Sequence, residues 1–295
     1  MKLREISKRI IFGVGALLIV MPLAVRSVEA QALDGTLKKI KDSSTMNLGY
    51  RADAPPFSSL GADKKPTGYS IDLCTRIANA IQKQLNVNLK LNWVEVTADN
   101  RISMVEQGKI DIECGTTTAS LSRAEKVDFS LMTFVDGAAL MTLSNSSLKS
   151  LTNLTGKKIA VITGTTTETA LSKFIKDQFV KNVQLVPVKD HVAGRTALEN
   201  ATVDAYASDQ GILIGLAMTA KDPKRFALVD GLFSYEPYAF MLKRNDAAFR
   251  LAVNRALAAL YRSSDVLPIY NKWFGTLGKV SEPIEIMYSV NGLPE

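Results

Sequence analysis

From Lys158 to Asp230 the chain alternates between strand-like and helix-like segments without a break, and few architectures accommodate such a run. A strand beginning at Lys158 leads to a helix over Thr166–Phe179, a strand over Val183–Val188 and a helix over Val192–Asn200. A strand over Val203–Ser208, a helix over Gln210–Ala220 and a strand over Phe226–Asp230 follow. That order predicts a mostly parallel sheet wrapped by helices.

The first half repeats the theme more loosely. Thr45–Tyr50 reads as a strand, and Ser70–Leu85 as a helix with Ile71, Cys74, Ile77, Ala78 and Ile81 on one face. Leu89–Val96 alternates as a strand, and Asp99 or Asn100 caps a short helix that ends at Gly108. A strand over Val135–Leu143 runs into the Ser-rich stretch Ser144–Ser150, where the chain is expected to cross to a second lobe. Tyr235–Lys243 is again strand-like and would carry it back. Helices over Ala247–Tyr261 and Ile269–Phe274 come next, and the last twenty residues read as an extended tail.

The expected organisation is therefore α/β with two lobes, each a mostly parallel sheet flanked by helices, joined by two hinge crossovers. Residues 31–143 with 239–275 form the first lobe, 144–238 the second and 276–295 the tail. A cleft between two such lobes is a usual ligand site.

Two corners face that cleft. Asp111–Cys114 begins as a strand, turns at Gly115, passes Thr116, Thr117 and Thr118, and brings Arg123 into a helical turn. Ile159–Ile162 leads likewise into Gly164, Thr165, Thr166 and Thr167. Threonine hydroxyls and free N–H groups at a helix entry suit a carboxylate, and a guanidinium matches two oxygens. The plainer reading is that Thr118 and Thr167 only cap helices, and for either corner alone both readings stand. Two such corners point to two lobes closing on one small anion.

Composition removes several function classes. A chain of 295 residues with 46% apolar side chains is long enough for two ordinary domains. The formal charge is +7, but three of those charges fall in the first thirty residues and the rest form no basic run, so nucleic acid is not an expected partner. Residues 1–30 have a basic start, an apolar core and small residues at Val28 and Ala30, the pattern of a cleaved secretory signal; an uncleaved anchor is the rival reading, against which the apolar run is short of the roughly 20 residues a span needs. Cys74 and Cys114 are the two cysteines; export allows a disulfide, burial as free thiols is the alternative, and sequence leaves both open. With a single histidine, no metal site of familiar spacing can be assembled, and no cofactor is implied. Arg101 lies in the first turn of its helix, where the macrodipole disfavours a cation, so it is either solvated or held near an anion.

The order of four motifs resembles the periplasmic solute-binding proteins that feed amino-acid ABC transporters. They are Ala54-Pro55-Pro56-Phe57, Gly68-Tyr69-Ser70-Ile71-Asp72-Leu73, Arg123 with Val127-Asp128-Phe129-Ser130, and Lys272-Trp273-Phe274-Gly275. Within that family the chain is most similar to the glutamate/aspartate-binding branch, through Gly49-Tyr50-Arg51, Asn100-Arg101-Ile102, Glu113-Cys114-Gly115, Gly164-Thr165-Thr166, Lys189-Asp190-His191 and Ser208-Asp209. The resemblance implies a monomer, exported to the periplasm, that delivers an acidic L-amino acid to a membrane permease. It implies that Arg123, Thr116 and Thr118 take the α-carboxylate, Asp209 the ammonium group, and Arg51, Arg101, His191 and Thr165 the side-chain carboxylate.

Two positions depart from that branch: Ala98 stands where it tends to have serine, and Ile162 where it tends to have threonine. Each loss removes a hydrogen bond of about 0.5–1.5 kcal/mol. Ser70 replaces the acidic residue that many relatives with other ligands carry, which favours an acidic ligand. If Arg51, Arg101, Arg123 and Asp209 converge, the site holds a positive excess of two beside a neutral His191. Away from that context a lone His191 reads first as a surface or capping residue, and its strand-to-helix junction turns the reading to ligand contact; Asp209 reads also as the N-cap of the next helix. Two other functions remain to be weighed. A dehydratase on the same scaffold would need His191 or Glu113 as its acid or base. A sensory ligand-binding protein would need an anchor or a partner to read its closed form.

Overall fold

The computed structural model describes residues 33–295; the expected signal segment, residues 1–30, lies outside the described residues. Two five-stranded sheets organise the chain. The first runs in the order Lys90–Glu95, Thr45–Tyr50, Ile112–Glu113, Glu236–Lys243, Val127–Asp136. The second runs Gln184–Val188, Lys158–Ile162, Ala205–Asp209, Ala138–Leu143, Phe226–Leu228. In each, one half is parallel, as the alternation predicted, and the other half is antiparallel. The antiparallel halves contain the strands on either side of the crossovers, whose direction is set by leaving one sheet and entering the next.

That geometry moves the first crossover. Sequence places it in Ser144–Ser150, after one long strand, but the chain changes sheet at Gly137. Val127–Asp136 pairs with the return strand in the first sheet, and Ala138–Leu143 pairs with Ala205–Asp209 in the second. The run Leu131–Leu143 carries no proline and no polar cluster, so nothing local marks the break. Gly137 sits under Leu232 and the Ser234 carbonyl, where an added Cβ would lie 2.7–2.8 Å from both. Both crossovers meet there.

Helices pack where their apolar stripes demand. Tyr69–Leu85 buries Ile71, Cys74, Ile77, Ala78 and Ile81, the face read from periodicity. The C-terminal segment is not an extended tail. Glu282–Asn291 is a helix that starts with Pro283 in its first turn and buries Ile284, Met287 and Tyr288 against the strand Val127–Asp136 and the helix Ala247–Arg262. One period of apolar spacing is too short a signal to be read without the surface it covers. No helix among the described residues is long and apolar enough to cross a membrane.

Three of the four motifs that carried the family resemblance meet in one aromatic cluster; Val127-Asp128-Phe129-Ser130 lies outside it. Phe57 of the Pro-Pro-Phe segment packs edge-on to Phe134 with ring centres 4.8 Å apart, and lies 5.3 Å from both Tyr238 and Phe274. Tyr69 joins at 5.5 Å from Phe274. Asp72 accepts from Trp273 Nε1 at 2.7 Å and Lys272 Nζ at 2.8 Å, which ties the closing motif to the helix entry.

Cys74 and Cys114 form a disulfide across Cα atoms 6.1 Å apart, which settles the alternative that sequence left open. It fastens the helix Tyr69–Leu85 to the start of the first threonine corner. Its closed loop spans a sequence separation of 40, for which chain entropy predicts about 4 kcal/mol of stabilisation. The double variant Cys74→Ala/Cys114→Ala should accordingly lose about 2–5 kcal/mol in denaturant unfolding; an unchanged midpoint would show that the bridge constrains nothing.

Candidate ligand pocket between the two threonine corners

The first corner is held by backbone pairing with the return strand. Ala119 N–H donates to Pro237 O at 2.8 Å, and Ala239 N–H to Thr117 O at 3.1 Å. Gly115 is required by closeness: a Cβ there would meet Glu113 Oε1 at 2.0 Å. Ser70 Oγ donates to the Gly115 carbonyl at 2.8 Å. Ser70 thus shapes the corner from behind and is not among the pocket-lining side chains, so its influence on ligand charge is indirect.

The second corner is a reciprocal cap. Gly164, with φ of +76°, turns the chain; its N–H donates to Glu168 Oε2 at 2.8 Å, and Glu168 N–H donates to Thr165 Oγ1 at 3.1 Å. The N-cap of the helix Thr166–Asp177 is therefore Thr165, not Thr167. The short helix Leu121–Ala124 is capped by Ser120, not Thr118. Thr118 and Thr167 are both released from capping and turn to the cleft.

Between the corners lies a nearly closed pocket of about 20 Å³, room for little more than a water molecule until the two sheets part. Seven of the eight residues expected to bind line it: Arg51, Arg101, Thr116, Thr118, Thr165, His191 and Asp209. Arg123 does not. It is buried beside the corner, and its Nη1 donates to the Thr118 carbonyl at 2.8 Å. The two departures, Ala98 and Ile162, both line the wall. Thr166, Thr167, Tyr206 and Ser208 line it too. The triple threonine run was the only sequence signal for the first two, and nothing marked Tyr206, which reaches the pocket from the middle of a buried strand.

The two arginines in the pocket differ in what they have left to give. Arg51 is committed to Asp53: Nε donates to Oδ1 at 3.1 Å and Nη2 to Oδ2 at 3.0 Å. Asp53 also accepts the backbone N–H of His191 at 2.9 Å, so it ties Arg51, which follows the first sheet's strand Thr45–Tyr50, to a helix packed on the second. Burial opposes ionisation of Asp53, yet His191 and the Arg51 guanidinium outweigh it and hold the carboxyl below its usual range. Arg101, 4% exposed, has no side-chain hydrogen bond among the described residues, and its Nε is buried without a partner. Burial lowers its pKa to about 10, and the nearby Arg51 and Arg123 add to the effect against the opposing pull of Glu113.

His191 begins its helix, as expected of a strand-to-helix junction, but the cap is Asp190, which accepts from Ala193 N–H at 2.7 Å. Burial pushes the imidazole down to about 4, with Arg51 and Arg101 adding to it, so the ring is neutral at pH 7. Its Nδ1 lies 2.7 Å from the Tyr206 hydroxyl. Burial raises the Tyr206 pKa, which keeps that hydroxyl protonated and a donor. Nδ1 then accepts, and Nε2 is left as the N–H donor.

Asp209 stands at the N-cap position of the helix Gln210–Met218 but makes no cap bond. Instead Oδ1 accepts from Thr167 at 3.0 Å and Oδ2 from the Tyr238 hydroxyl. Burial raises its pKa to about 6, and Glu236 adds to this. Asp136 beside it is pushed up to about 8 by burial and by Asp209, although the N–H groups of Gly137 and Gly211 donate to it. The positive excess inferred from sequence does not hold, because Asp53, Glu113 and Glu236 also come together around the three arginines. What survives is local: one desolvated, unpaired guanidinium. Among the described residues no cluster could hold a metal ion.

The chain matches the profile of the bacterial extracellular solute-binding proteins, family 3, over residues 46–276. It is 37% identical over 258 residues to an L-glutamate/L-aspartate-binding protein of Pseudomonas aeruginosa, covering 87% of this chain and 85% of that one. A glutamate/aspartate import solute-binding protein of Escherichia coli is 32% identical over 253 residues, covering 85% and 83%. The crystal structure of an ancestral amino-acid-binding protein, a precursor of cyclohexadienyl dehydratase, superposes with a TM-score of 0.71 at 26% identity, covering 81% of this chain and all of the other.

The raised carboxyls carry a pH signature. A folded-state pKa above the unfolded value gives stability that is complete at low pH and is lost as pH rises through the folded pKa. For Asp136 that loss extends to about pH 8, above the window of Asp209, which ends at about 6, and above that of the depressed His191, which acts with the opposite sign between about 4 and 6.5. Unfolding free energy of the ligand-free protein should fall between pH 6.5 and 8, and Asp136→Asn should remove that fall; the same slope in the variant would refute the assignment.

Proposed function

We propose, from the premise that this chain belongs to the bacterial extracellular solute-binding proteins of family 3, that it captures glutamate or aspartate between its two sheets by closure and delivers it to the permease of an ABC importer. Its curated relatives are import binding proteins rather than enzymes, and this chain is likewise a binding protein without chemistry of its own. The pocket supports that reading. Among the expected bases, Glu113 is fully buried away from the lining, with Oε2 bonded to Thr117 at 2.9 Å, and His191 faces the pocket as a neutral N–H donor.

Arg101 carries the choice of ligand. A desolvated guanidinium without a counter-ion is costly, and a ligand carboxylate that supplies two acceptors relieves the cost. A side-chain amide leaves the charge uncompensated. In the proposed complex the side-chain carboxylate meets Arg101 and His191 Nε2–H, with Thr165 and the Arg51–Asp53 pair beside them. The α-carboxylate meets Thr116 and the backbone N–H of Thr118, whose hydroxyl proton is committed to Glu236, with Arg123 supplying charge from behind, and Asp209 takes the ammonium group. Closure and affinity are then one free energy. The pattern of residues 1–30 supports export to the periplasm, where the permease would be reached.

Titration calorimetry on protein refolded to strip carried ligand provides the test. One-to-one binding of glutamate or aspartate is expected, with glutamine and asparagine at least a hundredfold weaker, about 2.7 kcal/mol. Arg101→Met should reduce acidic ligands by that factor and bring the amides level with them. Arg123→Met should weaken acids and amides alike. Tighter binding of a neutral or basic amino acid by the unaltered protein would overturn the acidic reading.

A further inference from the structure

One buried carboxylate joins the two threonine corners and has no place in the pocket lining. Glu236 opens the return strand and is 1% exposed. Its Oε2 accepts from the hydroxyl of Thr118, on the first corner, and at 2.7 Å from that of Thr166, the first residue of the helix on the second. Those two hydroxyls are themselves 3.3 Å apart. Its Oε1 accepts from Ser234, in the crossover that returns the chain to the first sheet. A desolvated carboxylate is thus satisfied by three hydroxyls drawn from the first body, the second body and the connection between them.

We propose that Glu236 is the closure latch: a positioning residue that sets the balance between open and closed forms and tightens every ligand by the same factor, without touching ligand. Opening must part Thr118 from Thr166, and one carboxylate oxygen cannot follow both. The bond given up is charge-assisted, so it is among the stronger single contacts that closure can add. Thr118 and Thr166 also line the pocket, whereas Glu236 stands behind them, toward a groove shared with Leu121, Tyr235 and Pro237. Closure therefore brings ligand wall and latch together in one movement. The ligand assay below rests on the acidic-amino-acid reading; the latch itself does not.

Glu236→Gln keeps the shape and removes the charge. Glutamate and aspartate should each bind about tenfold more weakly, with their ratio unchanged and the loss appearing in the dissociation rate. The free variant should have a larger radius of gyration by X-ray scattering than the free wild-type protein. Thr166→Val, which alters no charge, should weaken both ligands similarly and add nothing on top of Glu236→Gln. Unchanged or tighter binding by Glu236→Gln, an altered ratio, or additive effects of the two substitutions would each overturn the latch. If the wild-type protein binds neither amino acid, the ligand reading falls by itself and scattering decides the latch, an unchanged radius overturning it. Should Glu236→Gln fail to fold, Thr166→Val alone carries both readouts, and wild-type values for both would refute the proposal.

Discussion

Backbone pairing between Thr117–Ala119 and Pro237–Ala239 holds much of this structure in register. The threonine corner has no helix long enough to anchor it, since Leu121–Ala124 is a single turn. Its rigidity comes from the return strand, and that strand exists only because the chain comes back from the second sheet. The same strand places Tyr238 against Asp209 and Glu236 against both corners. A chain that did not return would have neither a first corner fit to bind nor a connection between its two bodies at that point.

Desolvation is the second organising constraint. Arginines and carboxyls are drawn into one poorly hydrated region, and each is held by a different device. Arg51 takes a bidentate partner, Asp209 takes two hydroxyls, and Asp136 takes two backbone N–H groups and a raised pKa. Arg101 alone of the three guanidinium groups has no hydrogen-bond partner for its side chain among the described residues. A binding site in this sense is a charge whose compensation has been left to the ligand; of the carboxylates around it, Glu113 alone keeps a buried oxygen, Oε1, without a hydrogen bond among the described residues.

The sequence motifs that made the family recognisable serve mainly to build the core. Phe57, Tyr69 and Phe274 pack together, and Asp72 ties Trp273 and Lys272 to the helix entry. Their fixed order reflects packing partners that must arrive together. The residues that distinguish one ligand from another sit elsewhere, at the corners and strand ends, which is why Ala98 and Ile162 can depart from the branch pattern while the fold stays whole.

Periodicity alone determined the alternation after Lys158, the buried face of Tyr69–Leu85 and the two corners, because apolar spacing and turn residues act over a few positions. The seven pocket-lining residues came into view through the family resemblance and not from periodicity. Periodicity could not place the crossover at Gly137, since a strand leaving one sheet for another keeps its β pattern throughout. It could not show the helix Glu282–Asn291, whose stripe has meaning only against the surface it covers. Nor could it weigh charge: Asp53, Glu113 and Glu236 join the arginines from distant positions, and Arg123 turns behind the wall. Which cation is free and which is spent depends on long-range neighbours and on lost water, and those are decided only when the chain has closed on itself.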